Sequence, residues 1–255
     1  MKILKNHKSN SETHTLLGDL INVHLEKLLP ERYKNQKKII EICHAGKFLT
    51  HFDNNIIIEN VCENPDFIIN IDSTKIGLEH QILVDNKLKE REGFFENLFS
   101  AAECELQKDL ELPNFLISCH LIPYVNFKIN EKQRLIISII KTVKHFIQTQ
   151  ELIENPLIEN ISMTDHTQKN LYVNLGGWFV KDVTPELIYQ AVRKKEKRLS
   201  AYKENSGEIQ WLLIVIGGVG ASSFNLYNQI ELNLITKFDK VYILEDFNNK
   251  LYELK

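Results

Sequence analysis

Between residues 17 and 28 the chain places Leu17, Leu20, Ile21, Leu25 and Leu28, with His24 among them, three and four positions apart. That spacing predicts a helix with one apolar face, begun by the capping side chains of Ser11 and Thr13 and ended by Pro30. A second helix is predicted from about Asn35 to His44, with Ile39, Ile40 and Cys43 inward. The pattern then changes to short β-rich runs at Ile56-Ile57-Ile58, 66–71 and 76–84, with turn chemistry from Asn54-Asn55 and Asp72-Ser73. These runs read as a meander. Helical spacing returns over 87–109 through Leu88, Phe94, Phe95, Leu98, Phe99, Ala102 and Leu106. A strand at 115–121 follows, then a helix over 131–150 that stops before Asn155-Pro156.

Two extended runs, 157–163 and 171–173, precede the turn Gly176-Gly177-Trp178, and their pairing is open. Thr184, with Pro185 and Glu186 behind it, is a strong helix start, and that helix should reach about Tyr202. Trp211–Ile216 is a continuous apolar run of the kind buried on both faces. After a helix expected over 222–237, Val241–Leu244 is a shorter run of the same type, so the end of the chain should lie inside the fold.

Within 255 residues, Gly is only 10 and Pro only 6, and there is no linker or repeat, so one domain is expected over 1–255. No stretch approaches the ~20 apolar residues of a membrane helix, and MKILKNHKSN is too polar for a secretory signal, so a cytoplasmic protein without membrane association is expected. Cys43, Cys62, Cys104 and Cys119 form no CxxC pair and are expected to be reduced and mostly buried. The histidines lack HExxH spacing, which argues against a histidine zinc site. A net charge of −3 means that nucleic-acid binding would need a local basic patch.

The chemistry concentrates in two nearby segments, Pro65-Asp66 and Glu79-His80-Gln81. Carboxylates on neighbouring strands supply the hard oxygens that hold a divalent cation against a phosphodiester. The order of elements and these residues resemble the PD-(D/E)XK nuclease superfamily. In that family an aspartate after a proline opens one hairpin strand, and an acidic residue, any residue and usually a lysine follow on the next. The resemblance covers roughly 34–84 and 184–216. It implies an α/β fold with a restriction-endonuclease-like core, a mixed β-sheet flanked by helices, carrying a large, mostly helical insertion at about 86–180.

It further implies a Mg²⁺- or Mn²⁺-dependent nuclease with Asp66, Glu79 and the His80 backbone carbonyl as metal ligands, and Glu41 as a further acidic candidate. Gln81 stands where a lysine is usual. Glutamine can orient a water but brings no charge, and Lys195, which interrupts the apolar stripe Ile188, Val192, Leu199, Tyr202, would supply it. Asp66, Glu79, Gln81 and Lys195 are thus the candidate catalytic residues. Lys194, Lys197 and Arg198 would contact phosphates. DNA is expected more than RNA by family frequency, with a homodimer or larger assembly open. The Ile-, Lys- and Asn-rich composition suggests an AT-rich bacterial genome, and by analogy a role in defence.

Plainer readings stand beside these. Asp66 also suits a strand-opening turn, Glu79 a solvent-facing strand position, Lys195 a snorkelling core edge and the basic run Arg193 to Arg198 a solvated helix face. The second functional reading is a catalytically silent relative serving as a protein-interaction module. A third is a nucleotide-binding protein using Gly217-Gly218-Val219-Gly220, a strand feeding a glycine turn into a helix. Ser223 stands where a third glycine belongs, and no Lys-Ser or Lys-Thr pair completes a P-loop.

Overall fold

The structure is a computed structural model and describes the chain apart from residues 54, 127, 177, 178, 219, 227–229 and 231. The Trp178 turn lies outside the described residues, as does part of the 222–237 segment. The fold is mixed α/β. The chain divides into two compact units, one of residues 1–84, 181–219 and 223–255, the other of 85–180 with 220–222.

The first unit is built on a seven-stranded mixed sheet in the order β1-β12-β11-β9-β4-β3-β2. Its strands are β1 (Lys2–Leu4), β2 (Ile56–Val61), β3 (Phe67–Ile71), β4 (Thr74–Ile82), β9 (Gln210–Ile216), β11 (Lys240–Glu245) and β12 (Lys250–Glu253). Its helices are α1 (Asn10–Leu25), α2 (Arg32–Leu49), α5 (Pro185–Glu196) and α6 (Leu199–Ser206), and β8 (Lys181–Asp182) pairs with β10 (Phe224–Asn225). Strands β2, β3 and β4 form the expected antiparallel meander. Strand β4 then lies parallel to β9, and β9 parallel to β11. All seven residues of β9 are buried, which explains its unbroken apolar sequence. One sheet face, with Phe67, Ile69, Leu78 and Leu213, packs on Ile42, Ala45 and Phe48 of α2. The other, with Leu212, Ile214 and Ile243, packs on Ile188, Val192 and Tyr202 of α5 and α6.

The turn between β3 and β4 sets the geometry that follows. Asp72 and Ser73 both have positive φ, 49° and 67°, the two-residue hairpin turn whose twist matches its strands. Pairing runs from Ile71↔Thr74 to Phe67↔Leu78, so the next cross-strand position places Asp66 opposite Glu79.

The second unit comprises α3 (Asn86–Lys108), β5 (Phe115–Leu121), α4 (Lys132–Thr149), β6 (Ile158–Thr164) and β7 (Lys169–Asn174). The two pairings left open by the sequence resolve here: β5 is central, antiparallel to β6 and parallel to β7. Helices α3 and α4 cover one face of this sheet through Phe95, Leu98, Ile139 and Val143. The segment is therefore a three-stranded sheet with two helices, not simply a helical insertion.

Several expectations are corrected. Helix α1 is capped by Ser9, not Ser11 or Thr13, and Glu12 completes a capping box. It ends at Leu25, with Pro30 in a separate turn. The helix expected from 184 to 202 is two helices, because Arg198 leaves helical dihedrals at φ −106°, ψ 3°. Like charges four apart, Arg193 with Lys197 and Lys194 with Arg198, weaken a continuous helix there. No helix occupies the described part of 222–237. Residues 232–238 alternate between half-buried and exposed up to the buried Phe238, so Ile230, Leu232 and Leu234 meet the core with the period of an extended chain. The cysteines are free, as expected, but only Cys119 is buried, and Cys104 is exposed. Strands β1 and β12 were missed, being too short for a periodic signal. Among the described residues no helix is long and apolar enough to cross a membrane.

Candidate metal centre

Strands β3 and β4 bring Asp66 and Glu79 together with their backbones as well as their side chains. The Asp66 N–H donates to Glu79 Oε2 at 3.2 Å, and the His80 N–H donates to Asp66 Oδ2 at 2.9 Å. Both carboxylates are buried, at 8% and 2% exposure, which removes the readings of a turn residue and a solvent-facing strand residue. Burial, and then the charge of Glu79, push the Asp66 carboxyl up to about 7. Its hydrogen bond from His80 and the nearby Lys195 pull the other way without prevailing.

Helices α5 and α6 close over this face. Lys195 Nζ forms an ion pair and hydrogen bond with Glu79 Oε1, so it is not a snorkelling side chain. Tyr202 is wholly buried, and burial together with the Glu79 charge raises its phenol well above the tyrosine range. Gly77 permits this close approach: a Cβ there would lie 2.3 Å from Ser206 Oγ on α6 and 2.3 Å from Gln210 Oε1. On the side of α2, Glu41 is 4% exposed, ion-paired to Lys38 at 3.0 Å and to Lys37 at 3.5 Å. Lys38 also reaches Glu63 at 3.0 Å and the Cys62 carbonyl at 3.1 Å, tying α2 to the segment that leads into Asp66.

These groups open on a pocket of about 540 Å³ lined by Lys37, Glu41, Asp66, His80, Gln81, Ile82, Lys194, Lys195, Lys197 and Arg198. Every residue singled out in the sequence for this site is therefore in it or in contact with it. Lys38, Tyr202 and Gly77 also belong to the site, although no motif marks them. The His80 ring is engaged elsewhere: its Nε2 pairs with His44 Nδ1 at 3.0 Å, and burial lowers the pKa of both rings. Its backbone carbonyl is what remains for a ligand role.

The donors suit a hard divalent cation. Asp66 and Glu79 crowd two like charges that a cation would relieve, and Gln81 Oε1 is buried with no hydrogen-bond partner among the described residues. Among those residues no group of three or more His, Cys, Asp or Glu side chains converges. A cation here would take its other ligands from the His80 carbonyl, Gln81 or water.

The glycine-rich turn after β9 lacks the parts of a phosphate loop. Gly217 turns with φ +80°, but no helix follows among the described residues. Within the second unit, the Ser222 N–H and hydroxyl donate to the buried Glu92 carboxylate at 2.8 and 2.6 Å, so these donors are already taken.

No protein-family model, no curated protein and no solved structure matches the chain.

Proposed function

We propose that this protein is a Mg²⁺- or Mn²⁺-dependent phosphodiesterase of the PD-(D/E)XK type with a restriction-endonuclease-like core, acting on nucleic acid, with DNA favoured over RNA. The observation that carries the reading is the buried cross-strand pair Asp66 and Glu79, with Lys195 of α5 paired to Glu79 and β4 lying parallel to β9. The order α2, β2, β3, β4, α5, α6, β9 supports it.

When bound, the cation would polarise the scissile phosphate and acidify a nearby water. Asp66 and Glu79 would hold it. Gln81 lines the pocket, and its amide, whose buried Oε1 has no partner among the described residues, would orient the attacking water. Lys195 supplies the positive charge missing from position 81, stabilising charge that develops on the phosphate. The rim cations Lys194, Lys197 and Arg198 bind neighbouring phosphates.

One observation favours the silent relative as the second reading. Both Glu79 oxygens are already engaged, Oε1 by Lys195 and Oε2 by the Asp66 amide. A calorimetric Mn²⁺ titration separates the two. The hydrolase reading expects saturable binding by the wild type and none by Asp66→Ala; no binding by the wild type moves the assignment to a partner-binding module.

A further inference from the structure

We propose that a second pocket of the first unit, formed by β1, the residues that follow α2, and strands β11 and β12, binds a small phosphate monoester such as a nucleoside monophosphate. Its volume is about 560 Å³, within the ~300–1,000 Å³ of clefts that hold small ligands. The lining comes from residues 2–5 with His7, from residues 51–53, and from Lys240, Tyr242 and Glu253. None of these lines the pocket at Asp66, so the inference does not depend on the phosphodiesterase reading.

Strand register assembles one wall of it. Lys2 stands opposite Glu253 across β1 and β12, and Glu253 opposite Tyr242 across β12 and β11, so the three share a row on one sheet face. The Tyr242 ring packs on Phe48 and Trp211, with centroids 5.0 and 5.4 Å apart. Tyr242 is 0% exposed, yet its hydroxyl has no hydrogen-bond partner among the described residues. Buried polar groups are nearly always paired, so this hydroxyl calls for a partner from outside the chain. Burial, and then the charge of Glu253, raise the phenol above the ordinary tyrosine range, so it keeps its proton and is available as a donor.

A water would satisfy that hydroxyl alone; the charge around it selects an anion. Both acids of the lining are already matched, Glu253 by Lys240 at 2.8 Å and Asp53 by Lys8 at 2.6 Å. Lys8 also donates to the carbonyls of Thr50 and Phe52 at 3.2 and 2.8 Å, which offsets the negative end of α2 that would repel an anion. Lys2 and Lys5 are left over, both exposed and without an ion-pair partner among the described residues. Two uncompensated ammonium groups match the charge of about −1.5 to −2 on a phosphate monoester at pH 7, whereas a carboxylate would neutralise only one. Phe52, half-buried in the lining and stacked on Trp211 at 5.9 Å, offers an apolar surface to the organic part.

The test is calorimetry of the whole chain, in chelator, with AMP, adenosine and inorganic phosphate. AMP should bind saturably and more weakly as salt is added, inorganic phosphate should displace it, and adenosine should not bind. Tyr242→Phe removes only the hydroxyl. It should weaken AMP binding about tenfold or more without lowering the melting temperature of the free protein, since that hydroxyl has no partner in the chain to lose. Changing Lys2 and Lys5 together to alanine should weaken AMP binding about tenfold or more, whereas changing Lys194, Lys197 and Arg198 together should leave it as in the wild type. No AMP binding, or adenosine bound as tightly as AMP, overturns the inference. So does AMP binding that Tyr242→Phe leaves intact, the result expected if water alone meets the hydroxyl. Binding lost in the triple variant and kept in the double one also overturns it, by moving the phosphate to the Asp66 pocket. None of these outcomes decides whether Asp66 and Glu79 support cleavage.

Discussion

Burial, and then the charge of Glu79, raise the Asp66 carboxyl to about 7, and this gives the protein a pH signature. A carboxyl whose folded pKa is raised, here from 3.8 to about 7, contributes stability that is fully present below the unfolded value and is lost as pH rises through the folded one. In chelator, the wild type should therefore lose stability relative to Asp66→Asn between about pH 4 and pH 7, and chemical denaturation across that range measures the difference. Cation binding reverses the sense: Mn²⁺ affinity should rise with pH up to about 7, with release of one proton seen as buffer-dependent heat. Lys195 makes a second, opposed pair of effects. It neutralises Glu79 in the absence of metal, so Lys195→Met should tighten Mn²⁺ binding in calorimetry while slowing cleavage by about 10²–10³-fold, the usual loss for one group that stabilises transition-state charge. Weaker Mn²⁺ binding in Lys195→Met would show that the lysine supports the site in another way.

Among the elements, the β3–β4 hairpin does most to create the site, because its turn fixes which residue faces Glu79. Ser73 sits at φ 67°, where a side chain is strained, so Ser73→Gly should stabilise the protein by up to about 1 kcal/mol in thermal unfolding and leave Mn²⁺ affinity unchanged. Gly77→Ala should do the reverse, costing about 1–3 kcal/mol and weakening Mn²⁺ binding, because the new methyl pushes α6 away from β4. The hairpin was legible in the sequence since its three signals agree: apolar runs, the Asp72-Ser73 turn, and Pro65 before Asp66. Counting outward from the turn would have paired Asp66 with Glu79 from the sequence alone. The break at Arg198 was not read, because the stripe Ile188, Val192, Lys195, Leu199, Tyr202 keeps helical spacing across it. The extended course of Ile230, Leu232 and Leu234 is an alternation present in the sequence, where a helix over 222–237 was expected instead. Lys38 and Gly77 carry no local signal, since their roles depend on contacts with Glu63 and Ser206, far away in sequence.

Across the whole molecule, each unit has its own apolar core, and the candidate site lies wholly within the first. A large-to-small change in the core of the second, Ile139→Ala, should cost about 2–5 kcal/mol in that unit's unfolding transition and leave Mn²⁺ affinity as it is in the wild type. The molecule's function then turns on whether the buried pair of carboxylates performs hydrolysis. The most direct measurement is Mg²⁺- and Mn²⁺-dependent cleavage of single- and double-stranded DNA and RNA by the wild type and by Glu79→Ala. Metal-dependent cleavage by the wild type, abolished in Glu79→Ala and in chelator, is the predicted result. Wild-type protein that cuts none of the substrates in either metal, or a Glu79→Ala variant that cuts as well as the wild type, would contradict the assignment of this site.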